Sequence, residues 1–327
     1  MPVDTSLSIA ETTGHFSGAE RRPATIALIA MAYNHARYLP QLFASIRDNI
    51  DDIDELVLID NGSSDATASL MRDFGSTLPP HVSLKIQCNP PRHGVTQAVN
   101  AGLRATSAEF VAVTSGDDFL LPGRFTAQRR AMSADPELEF CYSNGYVCDE
   151  HGVVSEIAVH NGKTLLFLQR RLEPIASALY YPVPTLFTQC GLFKRSALIE
   201  VGGWDEDLVI DDWPLNIKLF TKFGDHFRYV DAFVAAYRRH DSNASKRRFR
   251  QYIGQKRVLE KYARATDFQR GMFAMLASQC LASVKRRQWW RARTFLRAAL
   301  SYKPGSSFIV RWITNEAQRR LSANKIR

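Results

Sequence analysis

The chain has 327 residues, 45% of them hydrophobic and 23% charged, the composition of a folded globular protein rather than a disordered or fibrous one. Its five cysteines are scattered with no CxxC pair, which argues against a zinc site or disulfide framework and for reduced packing residues in a cytosolic protein. The net charge of +9 is uneven: Arg238 to Arg327 carries 23 Lys+Arg against 4 Asp+Glu, or +19, and the preceding residues carry 19 against 29, or −10, so the tail is built to face something anionic.

Residues 1–23 are polar and are expected to form a disordered leader, neither signal peptide nor membrane anchor. Thr25 to Ala30 reads as a buried strand and Tyr38 to Asn49 as a helix with apolar spacing at Leu39, Leu42, Phe43 and Ile46. A second strand, Glu55 to Ile59, stops at Asp60-Asn61-Gly62-Ser63-Ser64-Asp65, and Asp65 is expected to cap a helix reaching Phe74. Val82 to Gln87 is a third strand and Gly94 to Ala105 a third helix. Strands alternating with helices at this spacing predict an α/β fold with a mainly parallel sheet covered by helices.

Phe110-Val111-Ala112-Val113-Thr114-Ser115 is a further buried strand, and it runs into Gly116-Asp117-Asp118. Open α/β sheets bind ligands at the carboxyl ends of their strands. Two acids there suit Mg²⁺ or Mn²⁺ with free positions for phosphate oxygens, although a turn in which Asp118 caps the next helix is the competing reading.

Beyond Asp118, Arg124 to Ser133 is helical, and Glu139 to Val159 breaks into short strands around Asn144-Gly145 and His151-Gly152, as a mixed sheet edge would. Thr164 to Tyr180 is expected to be helical, Leu186 to Phe193 a strand, Asp212 to Phe223 a helix and Phe227 to Tyr237 a strand. Helices alone follow, at about 251–265, 268–285 and 289–301, the last amphipathic and basic. No stretch is long and apolar enough to predict a transmembrane helix.

Three segments in this order resemble glycosyltransferase family 2, inverting enzymes of the GT-A fold that use nucleotide sugars. They are Ala32-Tyr33-Asn34-His35 with Glu55 to Thr67; Asn100-Ala101-Gly102, Asp117-Asp118 and Leu121-Pro122-Gly123-Arg124; and Gly202-Gly203-Trp204-Asp205-Glu206 with Asp211-Asp212-Trp213. The resemblance covers about Ile26 to Ser245. It implies a GT-A domain over 24–245, with a nucleotide-binding half to about 121 and an acceptor half from 122, followed by a basic all-helical extension over 246–327.

The resemblance also assigns roles. Met31 and Tyr33 would pack on the nucleobase and Asp60 would read its edge, a carboxylate being able to accept the imide N–H of uracil; an Asx turn is the plainer account of Asp60. Arg92 would approach the nucleotide, or be solvated. Asp117 would face ribose or metal-bound water, Asp118 and His240 would ligate Mn²⁺ or Mg²⁺, and Arg239 would neutralise phosphate. Many family members carry a further acid where Ser115 stands, so a thinner metal shell is expected.

From Asp211 and Asp212 the family would draw its base, here Asp212, removing the acceptor's hydroxyl proton opposite the leaving group, with Asp211 orienting it. Both also sit where a helix cap would, and a helix start favours an ionised, weak base.

The implied activity is transfer of one sugar from a nucleoside diphosphate sugar, UDP-sugar favoured, to a saccharide or lipid-linked acceptor in bacterial surface-polysaccharide assembly. The basic, tryptophan-bearing tail adds a further expected partner, an anionic membrane surface on the cytoplasmic side, against the alternative of a solvated outer face. A non-catalytic nucleotide-sugar-binding protein of the same fold is the alternative function. Nucleic acid is disfavoured because no recognition module is present, and a dehydrogenase because the first strand leads to Met31-Ala32-Tyr33-Asn34 without GxGxxG.

Overall fold

A computed structural model describes residues 24–91, 94–160, 162–169, 179–181, 186–241, 243 and 248–314. The expected leader and Arg92 lie outside these residues.

Strands β1 (Ile26–Ala32), β2 (Glu55–Asp60), β3 (Ser83–Cys88) and β4 (Phe110–Ser115) pair in parallel in the order β3-β2-β1-β4. The apolar runs behave as two-sided strands should. Ala27 and Ile29 of β1 point into one core with Val57, Ile59, Val111 and Val113, while Ile26, Leu28 and Ala30 point into another with Leu56, Leu58 and Ala112. The first core is covered by α3 (Val95–Ala105), whose Gly102 lies against Ile29 and Ile59. The second is covered by α1 (Leu39–Arg47) and α2 (Thr67–Gly75), through Leu42, Ile46, Met71 and Phe74. Both faces are thus buried, as an all-parallel region requires.

The other half of the sheet is mixed. After β5 (Phe119–Leu120) and α4 (Arg124–Ala134) come β6 (Phe140–Cys148), β7 (Val154–Ala158), α5 (Gly162–Leu168), β8 (Gly191–Lys194), α6 (Arg195–Glu200), α7 (Asp212–Phe223) and β9 (Phe227–Arg238). β8 joins the halves by pairing antiparallel to β4 and β6, β6 runs parallel to β9, and β5 is antiparallel to β9.

Three local expectations need correction. Asn144-Gly145 is not a strand end but sits inside β6, where the register against β9 shifts. The Asn144 amide exchanges hydrogen bonds with the backbone of His160, and a Cβ on Gly145 would come within 2.7 Å of the Ala235 carbonyl, which together make the irregularity. Only His151-Gly152 forms the turn before β7.

The strand expected over Leu186 to Phe193 begins as a 3-10 turn, Thr188–Cys190, because Cys190 N–H bonds back to Phe187 O and the buried His160 ring takes the Phe187 N–H. Finally, of the helix expected over Thr164 to Tyr180, α5 ends at Leu168, and 170–178 lie outside the described residues.

Helices α8 (Arg248–Tyr262), α9 (Ala265–Lys285) and α10 (Trp289–Leu300) form the C-terminal region. They share the first core: Leu259, Met272, Leu276 and Ala299 belong to the same cluster as Trp213 and Leu198.

Candidate active site

The carboxyl ends of β1, β2 and β4 lie level, Ala32 beside Asp60 and Met31 beside Ser115. Gly116 follows with its N–H bonded to Met31 O at 2.7 Å, and a Cβ there would come within 2.5 Å of Ala32 Cβ and 3.0 Å of His35 Nδ1. Glycine is therefore what lets the chain pass beneath His35 and deliver the two aspartates into the cleft.

These aspartates are held differently. Asp118 is 2% exposed and both oxygens accept hydrogen bonds, Oδ1 from the Arg238 N–H at 2.7 Å and Oδ2 from Gln189 Nε2 at 2.6 Å. Asp117 Oδ2 lies 2.9 Å from His240 Nε2 and 3.8 Å from His35 Nε2. The expected partnership of Asp118 with His240 is thus replaced by one of Asp117 with His240.

Arg238, 1% exposed, ties the loop together, donating from Nε to Asp117 O and from its terminal nitrogens to Glu150 O and Gln41 Oε1. Tyr38 supports the same cluster, with the His240 ring 5.0 Å from its centroid and the Arg238 guanidinium at 4.8 Å.

Burial raises the Asp117 carboxyl, but His35, Ser115 and His240 outweigh it and leave the group below its ordinary value. Asp118 is pushed well above its ordinary value by burial and then by the charge of Asp117, against the pull of the Arg238 N–H. Negative charge in the pair therefore concentrates on Asp117.

Asp211 and Asp212 open α7. Asp211 caps the helix, accepting from the Asp212 N–H at 3.0 Å, and Asp212 Oδ1 accepts from the Thr188 hydroxyl. Both keep some surface, yet the expectation of a weak, readily ionised base fails. Burial, followed by the charge of Asp211, pushes Asp212 up to about 8 despite the Thr188 bond and the helix start, and burial raises Asp211 as well. Desolvation exceeds the helix-terminus effect here. Thr188 and Gln189 are adjacent on the 3-10 turn, so one short segment holds both Asp212 and Asp118.

On the other side of the β-strand ends, Tyr33 is exposed and Met31 half-buried. Asn34, at φ 53°, binds the neighbouring loop through Ser63 and Ser64. Asp60 is buried and accepts from the Ser63 N–H, three residues on, at 3.2 Å, so its side chain braces its own loop. Met31 and Asp60 thus lie at the ends of the paired strands β1 and β2, with Tyr33 just beyond β1. Arg239 is exposed, its backbone N–H bonded to Cys148 O.

Asn100 pins the Gly202-Gly203 turn by bonding Trp204 N–H and O at 2.8 and 2.7 Å. Asp205 in that turn is structural, paired with Lys218 and bonded by the Tyr262 hydroxyl.

Sequence reasoning missed Thr188 and Gln189, which carry no motif and bond acids 24 and 71 residues away, and it gave no role to Arg238, although Arg238 adjoins the Arg239 and His240 it did single out. It also gave His35 no role, although His35 stands in the quoted loop and its Nδ1 is buried without a partner. Among the described residues no group of three or more His, Cys, Asp or Glu is assembled around a metal position. What is assembled is a pair, Asp117 with His240: one hard oxygen and one imidazole nitrogen, which suits Mn²⁺ with open positions for a ligand.

The chain matches the profile of Glycosyl transferase family 2 over residues 28–202. It is 24% identical over 194 residues to poly-beta-1,6-N-acetyl-D-glucosamine synthase of Staphylococcus epidermidis, covering 59% of this chain and 45% of that protein, so it spans less than half the length of that relative. Among solved structures it resembles the Pyrobaculum calidifontis mannosyltransferase PcManGT in complex with GDP-Man and Mn2+, with a TM-score of 0.54 and 19% identity over 90% of this chain and 80% of that one. Staphylococcus aureus TarS 1-349 with UDP-GlcNAc gives 0.55 and 11% over 85% and 92%. At these identities the structural likeness speaks for the fold.

Proposed function

The chain belongs to glycosyl transferase family 2, and on that premise we propose that it moves one sugar, with inversion, from a nucleoside diphosphate sugar to a hydroxyl of a saccharide or lipid-linked acceptor. A UDP-sugar is the favoured donor and assembly of a bacterial surface polysaccharide the setting, in line with the synthase it resembles. The observation that carries the reading is the 3-10 turn at Thr188 and Gln189, which brings the acid expected to act as base alongside the acidic pair expected at the diphosphate.

In this reading Asp212 accepts the acceptor's hydroxyl proton as the oxygen attacks the anomeric carbon, and the bonding electrons of the breaking C–O bond leave with the diphosphate. A pKa near 8 is well matched to that task near neutral pH. Asp211 holds the Asp212 backbone, and Thr188 fixes which carboxylate oxygen is committed. Asp117 and His240 would hold Mn²⁺ or Mg²⁺, which offsets charge on the departing diphosphate.

Asp118, expected from the sequence as a metal ligand, accepts hydrogen bonds from the Arg238 N–H and Gln189 Nε2, and in this reading it keeps those two in position. Met31, Tyr33 and Asp60 would form the nucleobase rim and Arg239 would meet phosphate, and the expected contact of Arg92 with the nucleotide falls outside the described residues. A lipid-linked acceptor would put the enzyme at the cytoplasmic face of the membrane, and a free saccharide would not.

The test is donor turnover with Mn²⁺ over UDP-, GDP- and dTDP-sugars and a panel of acceptors, alongside the melting shift each donor gives. Sugar transfer with inverted anomeric configuration is expected. A donor-induced shift without consumption of donor on any acceptor would indicate the binding protein instead.

A further inference from the structure

α10 is an amphipathic helix whose apolar side is only partly used. Ala292 and Ala299 are buried against the rest of the chain, while Trp289, Trp290 and Leu300 are 65, 69 and 66% exposed and Leu296 is exposed as well. At 3.6 residues per turn, Trp289, Arg293, Leu296, Arg297 and Leu300 fall on one side of the helix, with Trp290 on its flank.

Each large apolar group on this face thus stands next to an arginine, and the Arg291 guanidinium lies 5.0 Å from the Trp290 ring. Lys285, Arg286 and Arg287 lead into the helix, and no acidic residue occurs between Asp267 and Glu316. No described helix is long and apolar enough to cross a membrane.

We propose that this face of α10 is a membrane-docking surface that lies in the headgroup region of an anionic bilayer, with Trp289, Trp290, Leu296 and Leu300 inserted and Arg293 and Arg297 reaching lipid phosphate. Two exposed tryptophans on a surface of uniform positive charge fit such an interface better than water, because the indole has an apolar body and a polar N–H. The arginines add attraction to anionic lipid of about fivefold each at low salt.

The assignment deepens the proposed lipid-linked acceptor and rests on it for purpose alone. Vesicle binding is read without sugar transfer, so either idea can fail while the other stands.

Flotation of the full chain with vesicles of about 30% phosphatidylglycerol in phosphatidylcholine, against phosphatidylcholine alone, tests it. Binding is expected to the anionic vesicles only, and to be lost at about 0.5 M salt. Trp289→Ser with Trp290→Ser, and separately Arg293→Glu with Arg297→Glu, should each weaken it about tenfold or more without lowering the melting temperature, since all four side chains are exposed. Leu300→Ser alone provides a milder third variant.

Equal retention on both vesicle types, or undiminished binding in both double variants, overturns the proposal. So does a wild-type dimer that the tryptophan variant splits while neither floats, which would give the face to a second copy of the chain.

Discussion

Asp118 and Asp212 are gripped by neighbouring residues of one 3-10 turn, Gln189 bonding the first and Thr188 the second. Cys190, next in the turn, is buried with both carboxylates close enough to raise its thiol, which burial itself pushes to about 12. The turn is fixed from behind: Gln128 of α4 donates to Cys190 O at 3.0 Å, and His160 holds Phe187. The two chemical ends of the proposed reaction are therefore mechanically linked through a segment that contributes no acid or base of its own.

The first prediction separates the adjacent aspartates. Asp117→Asn and His240→Ala should abolish the Mn²⁺-dependent part of the melting shift given by nucleoside diphosphates. Asp118→Asn should instead leave the Mn²⁺-dependent shift in place, the amide's mismatch with the Arg238 N–H or Gln189 Nε2 being opposed by removal of a carboxyl that burial holds well above its ordinary value. Titrating Mn²⁺ into each variant with and without UDP checks it. A full shift retained in Asp117→Asn but lost in Asp118→Asn, with equal folding, would reverse the assignment.

Asp212→Asn is expected to reduce transfer by about 10²–10⁴-fold while leaving donor binding intact. It should also stabilise the protein. A buried carboxyl whose pKa is raised binds more protons folded than unfolded, so native stability falls as pH climbs from the ordinary carboxyl value toward about 8. The neutral amide escapes that fall. The melting advantage of Asp212→Asn over wild type should therefore be small at pH 4, grow to at least roughly 1 kcal/mol by pH 8, and level off above. A variant less stable than wild type at pH 8 contradicts the burial argument.

Activity should depend on pH in the opposite sense. Transfer needs ionised Asp212, so kcat/KM should rise through neutrality and flatten above about 8. Thr188 holds that pKa down with its hydroxyl. Thr188→Val should then move the rising limb to higher pH, with kcat at the alkaline plateau less affected than kcat at pH 6.5. Rate profiles of the two proteins from pH 5.5 to 9.5 decide; a uniform drop at every pH would mean that Thr188 acts only by packing.

The parallel half of the fold was legible because two-sided burial leaves apolar runs, and β1, β2 and β4 are such runs in the chain itself. Asp117 and Asp118 stood out because they follow the apolar run of β4, whereas Asp212, at the start of α7, stood out only through the resemblance carried by Asp211-Asp212-Trp213. What escaped was pairwise and long-range. Gln189 and Thr188 look like ordinary polar residues in a stretch that reads as a strand, and the bonds that make it a 3-10 turn, Cys190 N–H to Phe187 O and Phe187 N–H to the His160 ring, are not visible in the sequence. The ionisation of Asp212 escaped for a related reason: its position at a helix start is visible in the sequence, and the depth of its burial is not.

The neighbours Arg238 and Arg239 provide the last test, because identical side chains in consecutive positions should respond in opposite ways. Arg238 is buried, and its guanidinium satisfies Asp117 O, Glu150 O and Gln41 Oε1 while its N–H serves Asp118. Arg238→Met leaves the backbone N–H on Asp118 but strands the buried Asp117 carbonyl and drops the ties to Glu150 O and Gln41 Oε1, so it should cost about 1–3 kcal/mol, loosening Asp117 and lowering donor binding with it. Arg239 alternates to the exposed side of the same backbone, so Arg239→Met should leave stability within about 0.5 kcal/mol. If Arg239 meets the diphosphate as proposed, that variant should still raise the KM for the donor several-fold. Chemical denaturation and donor titration on the two variants read these effects separately, and equal destabilisation by both substitutions would mean that the loop is not anchored through Arg238.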